Sequence, residues 1–312
     1  MTTRLLRTVT ATALLLGAAA CGSSGGSDPL AASSPSAGGS AAASSAASGK
    51  TVVVGSANFP ENVLLASIYS QALKAKGVKV EEKFNVGSRE ILYGQLKSGG
   101  LTVLPEYNGA LLGYLDPKST ALTGGTEAVN AALHTTLPAE LTVLDSSAAQ
   151  DNDSLTVSQE TADKLGLKSI ADLAGKSADF VIGGPPEFKS RREQQFKDVY
   201  GLTFKEWKPT GETTANAIKD GSIQIGNVFT TDPKVVTLKL VPLADPKSVF
   251  SSQNVLPLVN KAGVDATSTA ALNAVSAKLD TPGLTALMKR VAVDKEDPSA
   301  VAKDWLKANG LV

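Results

Sequence analysis

Apolar residues along this chain alternate between short compact runs and longer stretches with helical spacing, beginning near residue 50. Residues 51–55 form a β-branched run closed by Gly55, the pattern of a buried strand. Asn58-Phe59-Pro60-Glu61 follows and reads as a helix start, with Asn58 as cap, Pro60 in the first turn and Glu61 at the capping-box position. Leu65, Ile68, Tyr69 and Ala72 keep the helical period until Gly77 stops it. Residues 78–85 are a second strand, Gly87-Ser88 opens a helix to Lys97, and residues 101–104 give a third strand leading into Pro105-Glu106-Tyr107, read as a loop. Strand, helix, strand, helix, strand at this spacing predicts a parallel sheet covered on both faces.

After a helix near 127–136 and a strand at 141–145, the polar stretch 148–153 runs into Leu155-Thr156-Val157, as a crossing into a second lobe would. There the α/β pattern repeats, with helices near 159–165, 188–200 and 213–219 and strands near 180–182, 204–208 and 223–227. A strand-like run at 253–259 returns to the first lobe, and helices at 267–279, 282–293 and 298–309 close the chain. The expected architecture is α/β, with two lobes joined by two hinge crossings: residues 50–150 plus 253–312 in one lobe, 151–252 in the other. One phrase occurs twice. Leu96-Lys97-Ser98-Gly99-Gly100-Leu101-Thr102-Val103 precedes Tyr107, and Ile218-Lys219-Asp220-Gly221-Ser222-Ile223-Gln224-Ile225 precedes Phe229 at the same spacing. Each is a helix end, a glycine stop and a short strand that delivers an aromatic at its carboxyl end, where ligands sit in open α/β sheets.

The N-terminus changes the picture of where the protein works. Arg4 and Arg7, the apolar run 9–20 and the small residues Ala18-Ala19-Ala20 form a leader too short to span a membrane, and the single cysteine, Cys21, follows. Residues 1–20 are thus expected to be a lipoprotein signal peptide. Cys21 at the cleavage point resembles a lipobox, which implies a diacylglyceryl anchor and an extracytoplasmic location on the outer face of the cell membrane. Residues 21–49, almost all Ser, Gly and Ala, are expected to be a disordered tether. Without the two leader arginines the 30 basic and 30 acidic residues leave a charge of about −2, and aromatics are few, so nucleic acid is not an expected partner.

Enzyme chemistry finds little support. The only histidine, His134, stands alone in a helical stretch, and no zinc ligand set, P-loop, nucleophile elbow or paired-carboxylate motif is present. No cofactor and no metal are expected.

Several phrases, taken in order, resemble one family. They are Val86-Gly87-Ser88-Arg89, Pro105-Glu106-Tyr107-Asn108-Gly109, Gly184-Pro185-Pro186-Glu187-Phe188, Val199-Tyr200-Gly201-Leu202, Phe229-Thr230-Thr231-Asp232-Pro233 and the tail from Asp297-Pro298 to Trp305-Leu306. From residue 51 onward the chain resembles the substrate-binding lipoproteins of ABC importers in the glycine betaine/carnitine/choline, or osmoprotectant, group. The resemblance implies a type II periplasmic-binding-protein fold, a small-molecule solute, ABC permease subunits as partners and a monomer.

Relatives that bind quaternary ammonium compounds hold the cation in an aromatic box, because a trimethylammonium group offers no strong hydrogen bond and is attracted to ring faces. By motif, Tyr107 and Phe229 fall on two box positions, while Asp153 and Ala215 occupy the other two. Asp153 could pair with a cation, bind an amine or hydroxyl, or cap the turn that follows. Asn58 and Phe59 stand at the first strand-to-helix junction, where backbone N–H groups could hold a carboxylate or simply be capped. Arg191, favoured over Arg192, could clamp a ligand carboxylate as a bidentate fork. Asn108 and Thr230 flank the two aromatics as polar candidates, whereas Trp207 and Trp305 read as packing residues. The alternative readings are the same receptor fold for an amine, an amino-acid derivative or an aromatic metabolite, or a surface lipoprotein without a transport role.

Overall fold

The computed structural model describes residues 50–185 and 188–312. The leader 1–20, Cys21 and the tether 21–49 lie outside the described residues, as do Pro186 and Glu187.

The first β-branched run is β1 (Val52–Ala57), followed by α1 (Pro60–Ala75) and β2 (Val80–Gly87), which pairs with β1 in parallel. Helix α2 (Arg89–Lys97) returns the chain to β3 (Val103–Tyr107), on the other side of β1. Helices α3 (Asn108–Leu115) and α4 (Gly125–Thr136) lead to the short β4 (Leu141–Val143). The chain then crosses into β5 (Asp153–Ser158), α5 (Gln159–Leu165), β6 (Val181–Gly184), α6 (Phe188–Tyr200), β7 (Glu206–Pro209), α7 (Thr214–Lys219), β8 (Ile225–Phe229), α8 (Lys234–Thr237) and β9 (Leu240–Pro242). It crosses back into β10 (Val255–Asn260), and α9 (Ala266–Ser276), α10 (Thr281–Met288) and α11 (Pro298–Ala308) finish the fold.

Two five-stranded sheets result, in the orders β2-β1-β3-β10-β4 and β7-β6-β8-β5-β9. Position by position they match, and β3 and β8, the strands of the doubled phrase, hold the same central place. The spacing predicts a parallel sheet, but neither sheet is wholly parallel. The strand that enters each lobe from a crossing, β10 in one and β5 in the other, runs antiparallel to both neighbours. That strand arrives from the hinge end of its lobe, so it must run against the strands built by βαβ turns.

Helix α1 is buried around most of its circumference, between the first sheet and α9 and α11. Leu64, Leu65, Ile68 and Leu73 are inaccessible there, and each such side chain stabilises the lobe by about 1.5–3 kcal/mol. The opposite face packs α2, α3 and α4 through Leu92, Leu96, Leu111, Leu112 and Leu133. In the second lobe Phe188, Phe196, Phe204 and Trp207 form one ring cluster, so Trp207 is a packing residue there.

Residues 105–109 are not the loop their sequence suggests. Strand β10 pairs with β3 as far as Tyr107, with Pro257 opposite Pro105, and α3 starts at once with Asn108. The two crossings lie side by side: Gln150 and Asn254 form an antiparallel bridge, and the Asp151 N–H donates to the Gln253 carbonyl. Gly109 lies so close to the Ser252 carbonyl that any Cβ would collide with it. A glycine is therefore required where α3 meets the second crossing.

Candidate functional site

At the carboxyl ends of β1 and β3 a cavity of about 170 Å³ opens, lined by Asn58, Phe59, Ser88, Arg89, Glu106 and Tyr107 among others. Its position follows from the parallel β1–β3 pair, whose loops part at this edge. The local build differs from the expected capping box. Helix α1 is capped one residue later, by Phe59 in extended conformation, with no side-chain cap bond. Asn58 is exposed, and Asn62 ties the edge together: its Oδ1 accepts from the Ala57 N–H at 2.7 Å and its Nδ2 donates to the Pro105 carbonyl at 3.0 Å. Glu61 turns inward, is 4% exposed, and accepts a hydrogen bond of 2.7 Å from the Tyr107 hydroxyl.

The Phe59 ring, 40% exposed, stacks on Tyr107 with centroids 6.3 Å apart and planes 27° from parallel. Below them Arg89 forks onto Glu106, Nε to Oε1 at 2.7 Å and Nη2 to Oε2 at 2.9 Å, and Glu106 also accepts from the Tyr107 N–H. This charge-assisted pair fixes the cavity floor without leaving a net charge. Burial and the nearby Glu61 carboxyl raise the Tyr107 phenol well above its ordinary range, so it stays a neutral donor.

On the second lobe the equivalent edge is more open. Phe229 ends β8 as Tyr107 ends β3, but it is 54% exposed, beside a cavity of about 110 Å³ shared with Glu212, Thr214, Ala215, Asn227 and Asp232. Asp153, the first residue of β5, is the register partner of Phe229. Its carboxylate accepts from Asn227 Nδ2 at 3.0 Å and lies 3.7 Å from Arg192 Nη2. Arg192 also donates to Gln195 and to the Val249 carbonyl, and stacks 5.0 Å over the Phe250 ring. Burial pulls its guanidinium below the usual range, an effect that Asp153 opposes. Arg192 thus reaches Asp153, while Arg191 is exposed.

Two candidates serve the frame. Asn108 is fully buried, with Oδ1 accepting the N–H groups of Gly109 and Asn254 and Nδ2 donating to Asn130 and Ser252. Thr230 knits the first crossing to the end of β8, its hydroxyl donating to the Gln150 carbonyl and accepting the Asn152 N–H. Next to it, Thr231 donates to Asp151 at 2.6 Å. The structure therefore gathers Asn58, Phe59 and Tyr107 at one cavity and Phe229, Asp153 and Ala215 at the other edge. Glu61, Asn62, Arg89, Glu106, Asp151 and Arg192 complete the two edges. Of these, Arg89 and Glu106 stood in the phrases of the family resemblance, Arg192 was the second choice to Arg191, and Glu61 carried a signal that read as capping.

Ring faces and carboxylates can attract and orient a small cation, and the two guanidinium groups nearby, Arg89 and Arg192, are each paired with a carboxylate. A quaternary ammonium gains about 0.5–2 kcal/mol per well-placed ring.

Two α/β lobes joined by paired crossings, each with a recess at the carboxyl edge of its sheet, define a hinged solute-binding protein. The chain belongs to the OpuAC family, the substrate binding domain of ABC-type glycine betaine transport systems, which matches residues 50–308. It is 29% identical over 279 residues to the glycine betaine-binding protein YehZ of Escherichia coli K12, covering 83% of this chain and 90% of that protein. A glycine-betaine-binding protein of Pseudomonas aeruginosa is 26% identical, with coverages of 84% and 89%. Among solved structures, apo YehZ superposes with a TM-score of 0.76 at 25% identity, covering 84% of this chain and 99% of that one. A glycine betaine/carnitine/choline ABC transporter structure gives the same TM-score at 20% identity, covering 83% and 99%, a likeness of fold.

Proposed function

We propose that this protein is the extracytoplasmic receptor of an ABC importer, capturing a small quaternary-amine osmolyte such as glycine betaine or choline between its lobes. The carrying observation is the Phe59–Tyr107 stack at the first cavity, with Phe229 at the matching strand end of the other lobe. Two ring surfaces meeting across a closing hinge would exclude water from a trimethylammonium group, where cation–π attraction is strongest. The receptor does no chemistry itself; as a monomer it hands the solute to permease subunits, and a separate subunit hydrolyses ATP. Cys21, lipidated after export, holds it to the outer face of the membrane, with 21–49 as the tether. Among the described residues no helix is long and apolar enough to cross a membrane.

Titration calorimetry with glycine betaine and choline tests the ligand. Saturable binding is expected, weakened at least tenfold, about 1.4 kcal/mol, in folded Tyr107→Ala. A thermal-shift screen in which no betaine or choline compound stabilises the protein, while another solute does, would overturn the osmolyte assignment. Release of Cys21→Ala protein from cells that retain the parent tests the anchor.

A second ligand class is favoured by Asp153 and Ala215, acidic and small where further rings would complete a box. It also accords with 24% identity to a Helicobacter pylori protein named for ergothioneine transport and binding.

A further inference from the structure

The second lobe is held to the first by more than its two crossings. Helix α10 belongs to the first lobe, whose core takes Leu284, Leu287 and Met288. Yet α10 also packs against α8 of the second lobe. Two threonines one turn apart, Thr281 and Thr285, lie on one face of α10 and bracket the first crossing. The Thr281 hydroxyl accepts the Gln150 N–H at 3.0 Å, where the crossing leaves the first lobe. The Thr285 hydroxyl is buried, 3.1 Å from the Thr230 carbonyl, where β8 has just ended in the second lobe. Thr230 is itself fastened to the crossing. Its N–H donates to the Asn152 carbonyl at 2.9 Å, and its hydroxyl donates to the Gln150 carbonyl at 2.7 Å and accepts the Asn152 N–H at 2.9 Å. The residue before it is Phe229.

We propose that Thr285 is a positioning residue for solute capture, holding the second lobe in its open form from a place outside both recesses. The cleft is open in this structure: Phe59 is 40% exposed and Phe229 54%, and their two recesses share no lining residue. Thr285 lines neither of them. Closure must turn the second lobe, with Thr230 and α8, against α10, and a hydrogen bond weakens steeply as its distance and angle change. The hydroxyl is suited to letting go. It has one hydrogen and two acceptors, the Thr230 carbonyl and, at 2.8 Å, the Thr281 carbonyl of its own helix. When the lobe turns, that hydrogen passes wholly to Thr281, and no buried hydroxyl is left bare. The link to Thr230 therefore counts against closure, and a solute that binds the closed form must overcome it.

This rests on capture by closure of the lobes, but not on which solute is captured. In ligand-free protein carrying Cys21→Ala, spin labels at Lys83→Cys in β2 and Glu206→Cys in β7 sit on the edge strands of the two sheets. Pulsed electron paramagnetic resonance between them reads the interlobe distance. Thr285→Val, which keeps the branched shape and removes the hydroxyl, should raise the short-distance population about threefold to tenfold, the strength of one net hydrogen bond. Thr285→Ala, a second variant should Thr285→Val not fold, should do the same. Thr285→Ser, which keeps the hydroxyl, should match the parent. In calorimetry, glycine betaine or choline should bind the Thr285→Val protein tighter by the same factor. If neither solute binds the parent, the osmolyte reading fails and the distance measurement still decides the role of Thr285. Unchanged distances in Thr285→Val and Thr285→Ala, a shift to longer distances, or an equal shift in Thr285→Ser would each overturn it.

Discussion

Tyr107 and Phe229 end equivalent strands of two matching sheets, yet one is 7% exposed and the other 54%. Their surroundings account for the difference. Tyr107 stands opposite Val255 of β10, under the Phe59 ring, with its hydroxyl fixed by Glu61. Phe229 stands opposite Asp153, whose carboxylate turns to Asn227 and Arg192 and gives the ring no apolar cover. In the proposed binding mode the first lobe would hold its ring in place before a ligand arrives, while the second presents a ring that solvent still covers. A preformed wall lowers the ordering cost of binding; an open wall supplies apolar area that is buried only on closure.

Tyr107→Ala should have the largest effect, destabilising the fold by about 3 kcal/mol in urea denaturation because it empties a packed site. A loss no greater than that of Phe229→Ala would break the contrast. Arg89→Ala comes next, at about 2–3 kcal/mol, since it strands the buried Glu106 carboxylate while Arg89 itself is partly exposed. Phe229→Ala should reverse the pattern: stability within about 0.5 kcal/mol of the parent, but solute affinity down by about 1–2 kcal/mol in calorimetry. The smallest effect belongs to Asp153→Asn, below about 1 kcal/mol in stability and fading with added salt, because its 3.7 Å pair with Arg192 is partly exposed. Loss of binding in Asp153→Asn without loss of stability would move the cation contact from the rings to this carboxylate.

Much of the scaffold was legible because it rests on local signals. The helical period after Pro60, the glycine stops at Gly77, Gly99 and Gly221, and the prolines in the first turn of α10 and α11 all act within a few residues of themselves. What was hidden depends on partners far along the chain. Asn58 and Glu61 satisfy a capping pattern locally, but Tyr107 draws the Glu61 side chain into the interior, and no local pattern encodes that competition. Asn108-Gly109 reads as a turn until β10 pairs with β3 and Asn254 donates to the Asn108 side chain. Three-residue β9 has no period of its own and exists through its pairing with β5. The arginine that reaches Asp153 is decided by the rotation of α6 on its sheet, which one sequence leaves open between Arg191 and Arg192.

The mixed order of the first sheet also bears on how the chain acquires its structure. Strand β10 lies between β3 and β4, and it is synthesised only after every residue of the second sheet. The second sheet is drawn from one uninterrupted stretch and can assemble as soon as β9 emerges. The first must keep β3 and β4 unjoined meanwhile, exposing apolar edges such as Leu104, Leu141 and Val143. Closing that gap late, across a long loop, makes the β3–β10–β4 seam the slow step of folding. An exported chain would be most open to proteolysis and aggregation until that seam shuts.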